Sequence, residues 1–186
     1  MIYVKRETWS SDRNPASLGT TILSKTGGVI VHHTVSGGAA TRKHEDCEAR
    51  LRRHRDYHMD SRRWAFLAYS WFVCPHGTIY EGRGWGHNGA NAPVNKETVS
   101  VCWEGTIGDP VRAGAITALN EVIDEARKRG FSDLVRGHGD VRVGGTSCPG
   151  ELRALIADGT LGGAGPVDKN AEAIKLIRKA LDLLEG

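Results

Sequence analysis

The sequence predicts an α/β domain, and three observations predict it. Apolar runs of strand length occur at Val29–His32, Phe66–Cys74 and Thr98–Trp103. Among them, apolar residues recur at helical spacing over about 41–58 and 112–129. Strands interleaved with helices build one sheet with helices packed on it, and a 186-residue chain is the size of one such domain.

Taken in order, residues 1–28 are polar and rich in Gly, Ser and Thr, which predicts an irregular arm with Trp9 as its apolar anchor. Val29–His32 is a buried first strand. Ser36-Gly37-Gly38 turns the chain, and Thr41 can cap a helix to about His58, with Cys47, Leu51, His54 and His58 on one face. His54 and His58 stand at i, i+4, but Arg55 occupies the place where a zincin helix carries Glu, so the pair is read as a helix face. Phe66–Cys74 is expected as a second strand with Tyr69, Trp71 and Val73 on one side. Pro75-His76-Gly77 turns it into Thr78–Glu81 as a hairpin, and 82–95 is a Gly/Asn-rich loop about His87. Thr98–Trp103 alternates, with Val99, Val101 and Trp103 opposite Ser100 and Cys102. Ile116, Leu119, Val122, Ile123 and Ala126 mark the helix over 112–129, stopped by Gly130. Leu134–Arg136 is a short strand and Glu151–Ala157 a short helix. The domain is drawn at 1–158, followed by a Gly-rich linker over 159–166 and an amphipathic helix over 167–186 carrying Ile174, Ile177, Leu181 and Leu184.

Composition narrows the class. The hydrophobic fraction of 39% and charged fraction of 25% are those of an ordinary globular protein. A net charge of +3 is too small to indicate nucleic acid. Arg42, Lys43, Arg50, Arg52, Arg53, Arg55, Arg62 and Arg63 crowd one segment, read first as a solvated helix face and second as attraction to a polyanion such as a bacterial wall. No apolar run approaches the roughly 18 residues of a membrane span, and no apolar stretch follows Met1–Arg6 to make a signal peptide. The chain is therefore expected to be made in the cytosol or to have been trimmed, with no membrane partner. A monomer is expected because the C-terminal helix is too short for a strong dimer seam. The four cysteines, without a CxxC, fit a reducing compartment.

The chemistry concentrates in one stretch. Arg136-Gly137-His138-Gly139-Asp140 through Thr146-Ser147-Cys148-Pro149-Gly150 is a Gly-rich loop in which Gly139, Gly144 and Gly145 let the backbone double back. His138 and Cys148 can then converge. A third ligand is available at the end of the first strand, where His32 and His33 are adjacent in a run apolar on both sides, so strand periodicity does not choose between them. Two His and one Cys leave the fourth tetrahedral position of a zinc open, which distinguishes catalytic from structural sites. Asp140 is expected to support His138 from behind. Taken singly, His138 is a loop histidine and Cys148 a small buried residue; their company is what points to a metal.

In order and spacing, Val29-Ile30-Val31-His32-His33-Thr34, Tyr57-His58-Met59-Asp60-Ser61-Arg62, Tyr69-Ser70-Trp71-Phe72-Val73, Gly77-Thr78-Ile79-Tyr80-Glu81-Gly82-Arg83-Gly84-Trp85, Arg136-Gly137-His138 and Thr146-Ser147-Cys148-Pro149-Gly150 resemble the zinc amidases that include peptidoglycan recognition proteins and amidase-type phage lysozymes. The resemblance runs from Val29 to about Leu155. It implies a central mixed sheet flanked by helices and one Zn²⁺ held by His32, His138 and Cys148. It implies that His33 and Thr34 face a substrate groove with His58 and Arg83 along it, that Tyr69 is the catalytic tyrosine, and that Thr146 steadies the oxyanion. The family usually carries Gly-Ala-His where this chain has Gly89-Ala90-Asn91, so either Asn91 takes over that histidine's hydrogen bond or His87 swings in. A cysteine near residue 38, which pairs with the Cys47 position in many animal members, is missing. The reaction implied is hydrolysis of the amide between N-acetylmuramic acid and L-alanine in bacterial peptidoglycan, the expected partner, with an inactive peptidoglycan-binding module as the alternative. Together with the missing leader, the resemblance suggests a phage endolysin that accumulates in the host cytoplasm and acts on the wall.

Overall fold

The computed structural model describes residues 1–38 and 43–163. Among the described residues, seven strands and five helices follow one another as α1 (Arg6–Trp9), β1 (Thr20–Thr21), β2 (Gly28–His33), α2 (Cys47–Asp56), β3 (Trp71–Val73), β4 (Ile79–Glu81), β5 (His87–Asn88), β6 (Thr98–Trp103), α3 (Ala113–Lys128), β7 (Val135–Gly137), α4 (His138–Val141) and α5 (Leu152–Ala157). A 3₁₀ turn, His44–Asp46, leads into α2, and a π-helical turn, Tyr57–Ser61, continues it. Thr41 and the tail helix expected over 167–186 lie outside the described residues.

Five strands form the central sheet in the order β4-β3-β6-β2-β7. β3, β6, β2 and β7 run parallel and β4 pairs antiparallel to β3, so the sheet is mixed. Every residue of β2 and β6 is buried, because helices cover both faces of a parallel sheet. On one face Val29, Val31, Trp71, Val73, Val99, Val101 and Trp103 pack against Leu119, Val122 and Ile123 of α3. On the other, Phe72, Tyr80 and Cys102 pack against Cys47 and Leu51 of α2, with Trp9 and Phe66. The alternation expected for β6 is the one observed.

The second strand is shorter than predicted, and Tyr69 packs with the α2-side core rather than beside Trp71 and Val73. Phe66 to Ser70 is irregular because its backbone groups bond elsewhere. The Phe66 and Leu67 carbonyls accept from Arg83, and the Ser70 N–H donates to Ser100 Oγ. The N-terminal arm is fastened: Trp9 is fully buried with its Nε1 donating to the Glu81 carbonyl, and Thr20–Thr21 pairs with His87–Asn88.

Two expectations about surface segments also change. Among the crowded basic residues, Arg50 is buried against Glu104 at 2.6 Å, and Arg55 is buried against Ser10, Asp12 and Asp56. These two clamp the interior, since a buried guanidinium survives only with its donors satisfied, whereas Lys43, Arg53, Arg62 and Arg63 are exposed as expected and Arg42 lies outside the described residues. At the other end, Leu161 is buried in the α3-side core, Gly162 donates to Asn120, and Arg127 donates to the Gly162 carbonyl. The stretch through Gly163 is therefore packed rather than free.

Candidate functional site

The C-terminal ends of β2 and β7 place the first two histidines. In β2, Ile30 and His32 register with Ser100 and Cys102, on the face opposite the α3-side core, so His32 points to the α2 side. His138 begins α4 directly after β7, which is parallel to β2. Its ring lies 4.5 Å from that of His32, centre to centre. The loop then returns: Gly144 and Gly145 adopt φ of +83° and +71°, which favour glycine. The Gly139 N–H bonds the Cys148 carbonyl at 2.8 Å, and a Cβ on Gly139 would come within 2.5 Å of the Thr146 carbonyl oxygen. Glycine is thus what allows the two limbs to touch.

One ligand atom from each of His32, His138 and Cys148 lies within 4.8 Å of the others. Cys148 Sγ is 3.7 Å from His32 Nδ1. A tetrahedral zinc with usual bond lengths separates a sulfur from a nitrogen ligand by about 3.6 Å. The other nitrogen, His32 Nε2, is 2.6 Å from Asn91 Oδ1. With Nε2 donating to that oxygen, the Nδ1 lone pair is directed at Cys148, the arrangement a metal-bound histidine needs. Burial and then His138 hold His32 at about 3, and burial also lowers His138, so both imidazoles are neutral at neutral pH. Burial pushes the Cys148 thiol up to about 11, so cation binding would release its proton. These residues fit a zinc ion.

Around this trio runs a groove of about 380 Å³ lined by His33, His58, Trp64, Tyr69, Arg142 and Thr146 as well as the three candidate ligands. His33 is buried, and neither ring nitrogen has a hydrogen-bond partner in the protein. Both nitrogens are themselves enclosed, so the ring forms part of the groove wall rather than an open donor or acceptor. The Tyr69 ring lies 5.2 Å from His32, and burial raises its phenol well above the ordinary value, so it remains a donor. Thr146 Oγ1 accepts the Cys148 N–H at 3.3 Å, leaving its own hydrogen to donate. His58 stacks on Trp64 at 5.0 Å, and its Nδ1 accepts the Ala68 N–H at 3.2 Å.

Three expected groove residues stand elsewhere. Arg83 is buried and donates to four backbone carbonyls, those of Leu18, Phe66, Leu67 and Asn88, so it ties the arm and two loops together. Thr34 Oγ1 accepts the Gly105 N–H at 3.2 Å and steadies the turn after β6. Asn91 is fully buried behind His32, with its Nδ2 donating to Thr98 Oγ1 at 2.8 Å. Between the two options for the family histidine's bond, the structure places Asn91 on His32, while the His87 backbone pairs with Thr21. Asp140 accepts from the Gly137 N–H and pairs with Arg153, bracing the loop backbone rather than the imidazole.

Sequence reading passed over Arg62, Trp64 and Arg142 as groove residues. The Arg62–Trp64 pair carried a signal, an aromatic two positions from a basic residue, and the two make a cation–π contact at 5.2 Å. Arg142 had none, because only the fold of the loop brings it to the groove.

A family model described as N-acetylmuramoyl-L-alanine amidase matches residues 23–151. Peptidoglycan-recognition protein SC2 of Drosophila melanogaster is 32% identical over 157 residues, covering 73% of this chain and 83% of that protein. Among solved structures, wild-type Drosophila PGRP-LB superposes with a TM-score of 0.74 at 28% identity, covering 89% of this chain and 94% of that one. A mutant of the same protein in complex with tracheal cytotoxin gives a TM-score of 0.74 at 25% identity, covering 88% and 94%.

Proposed function

The chain belongs to the N-acetylmuramoyl-L-alanine amidase family, and from that premise we propose that it hydrolyses the amide between N-acetylmuramic acid and L-alanine in peptidoglycan, using one zinc held by His32, His138 and Cys148. The observation that carries this reading is the convergence of those three donors, with the His32 lone pair aimed by Asn91. A module that only bound peptidoglycan would have no need of a thiol in that position.

Zinc would supply polarisation of the carbonyl and activation of water at neutral pH. The chain's own residues do the rest. Tyr69 and Thr146 offer hydroxyl donors to the oxygen that gains charge as the amide carbon becomes tetrahedral. His33 forms part of the groove wall against which a substrate would lie. Arg62 and Arg142 line the groove with no Asp or Glu among its lining residues, so it favours an acidic substrate such as the carboxylate-bearing stem peptide.

The test is incubation with purified bacterial wall, assaying new L-alanine N-termini against new reducing sugar. New N-termini without reducing ends, lost in Cys148→Ser, are expected. Tight wall binding with no new N-termini would establish the recognition module instead.

A further inference from the structure

A second set of donors lies outside the groove. His44 opens the 3₁₀ turn and Cys47 opens α2, so a three-residue spacing places both on one side of the helix start. Cys74 and His76 sit in the turn between β3 and β4. One ligand atom from each of the four lies within 4.8 Å of the others. Cys47 Sγ is 3.8 Å from His44 Nδ1 and 3.6 Å from His76 Nδ1. Those separations are close to the roughly 3.6 Å between sulfur and nitrogen ligands of a tetrahedral zinc.

We propose that His44, Cys47, Cys74 and His76 form a second zinc site, closed and structural, distinct from the one in the groove. Four protein ligands leave no open position for water or substrate, so this ion would have no part in hydrolysis. Two thiolates and two neutral imidazoles would balance its charge.

The surroundings suit anionic sulfur. Both thiols are buried and free, and Arg50 NH2 donates to Cys47 Sγ at 3.3 Å. Mechanically, the ion would fasten the start of α2 to the β3–β4 turn. α2 runs on into the turn that carries His58, and β3 follows directly on Tyr69 and Ser70, so both ends of this staple lead to the groove wall.

Elemental analysis of the full chain tests the inference separately from the amidase proposal. About two zinc ions per chain are expected for the unaltered protein, about one in Cys148→Ser, and about one in His44→Ala/His76→Ala. The double variant spares both buried cysteines, and it should keep its amidase activity at low temperature while losing thermal stability. Cobalt loaded into Cys148→Ser should give intense tetrahedral bands with thiolate charge transfer, and these should vanish when His44 and His76 are also replaced. A zinc content near one that His44→Ala/His76→Ala leaves unchanged would overturn the inference. So would a Cys47–Cys74 disulfide in freshly purified protein.

Discussion

Tyr69 and Asn91 both neighbour the His32 ring and act on different quantities. Tyr69→Phe removes only a hydroxyl, so metal content and fold should stay while kcat falls on the order of 100-fold, the usual cost of one oxyanion donor. Equal turnover numbers for the two proteins would reduce Tyr69 to a packing residue. Asn91→Ala removes the acceptor that fixes the His32 tautomer, so zinc affinity should fall by about 10–100-fold. Competition with a chromophoric chelator reads that change, and unaltered affinity would mean the bond is incidental. Local spacing brought His138 and Cys148 forward as candidate ligands, whereas His32 over His33 and the role of Tyr69 rested on the resemblance to the amidases. The sequence could not separate a groove role for Asn91 from a supporting one, since an amide side chain serves either and only the register of the following loop decides.

At the scale of elements, Arg83 is the instructive case. Its motif position suggested the groove, yet its guanidinium holds the carbonyls of Leu18, Phe66, Leu67 and Asn88. Burial without a carboxylate partner lowers it to about 10. Arg83→Lys keeps the charge but loses the planar fork, leaving buried carbonyls unpaired. A loss on the order of 2–4 kcal/mol in urea denaturation is expected, with KM for wall fragments unchanged. A raised KM at full stability would return Arg83 to substrate binding. The same bonds explain why the predicted strand over Phe66–Cys74 shortens to Trp71–Val73, as the preceding carbonyls are turned away from the ladder.

For the whole molecule, buried histidines link folding to pH. The folded chain protonates His58 only near 3, chiefly through burial and then through His54, Arg83 and Arg62, whereas an unfolded histidine does so near 6.5. Between those values the unfolded state binds more protons, so stability is full above about 6.5 and falls as pH drops towards 3. The slope is at most about 1.4 kcal/mol per pH unit for this one residue. His58→Gln, which can still accept the Ala68 N–H, should flatten that acid limb when denaturation midpoints at pH 7 and 5 are compared. An unchanged slope would locate the acid sensitivity elsewhere.

Local patterns by themselves determined the α/β class, the strand at Val29, the alternation of β6, the helix α3 and the Gly-rich loop bearing His138 and Cys148, because each is written in spacing along a few consecutive residues. The choice between His32 and His33 was different. Both faces of a central parallel strand are buried, so alternation in polarity vanishes, and only pairing with β6 in register shows that His32 lies on the α2 side with Cys102. The meeting of His44 and Cys47 with Cys74 and His76 was likewise decided by tertiary structure. Their spacings match no local motif, and the two pairs become neighbours only once α2 packs on the sheet beside the β3–β4 turn.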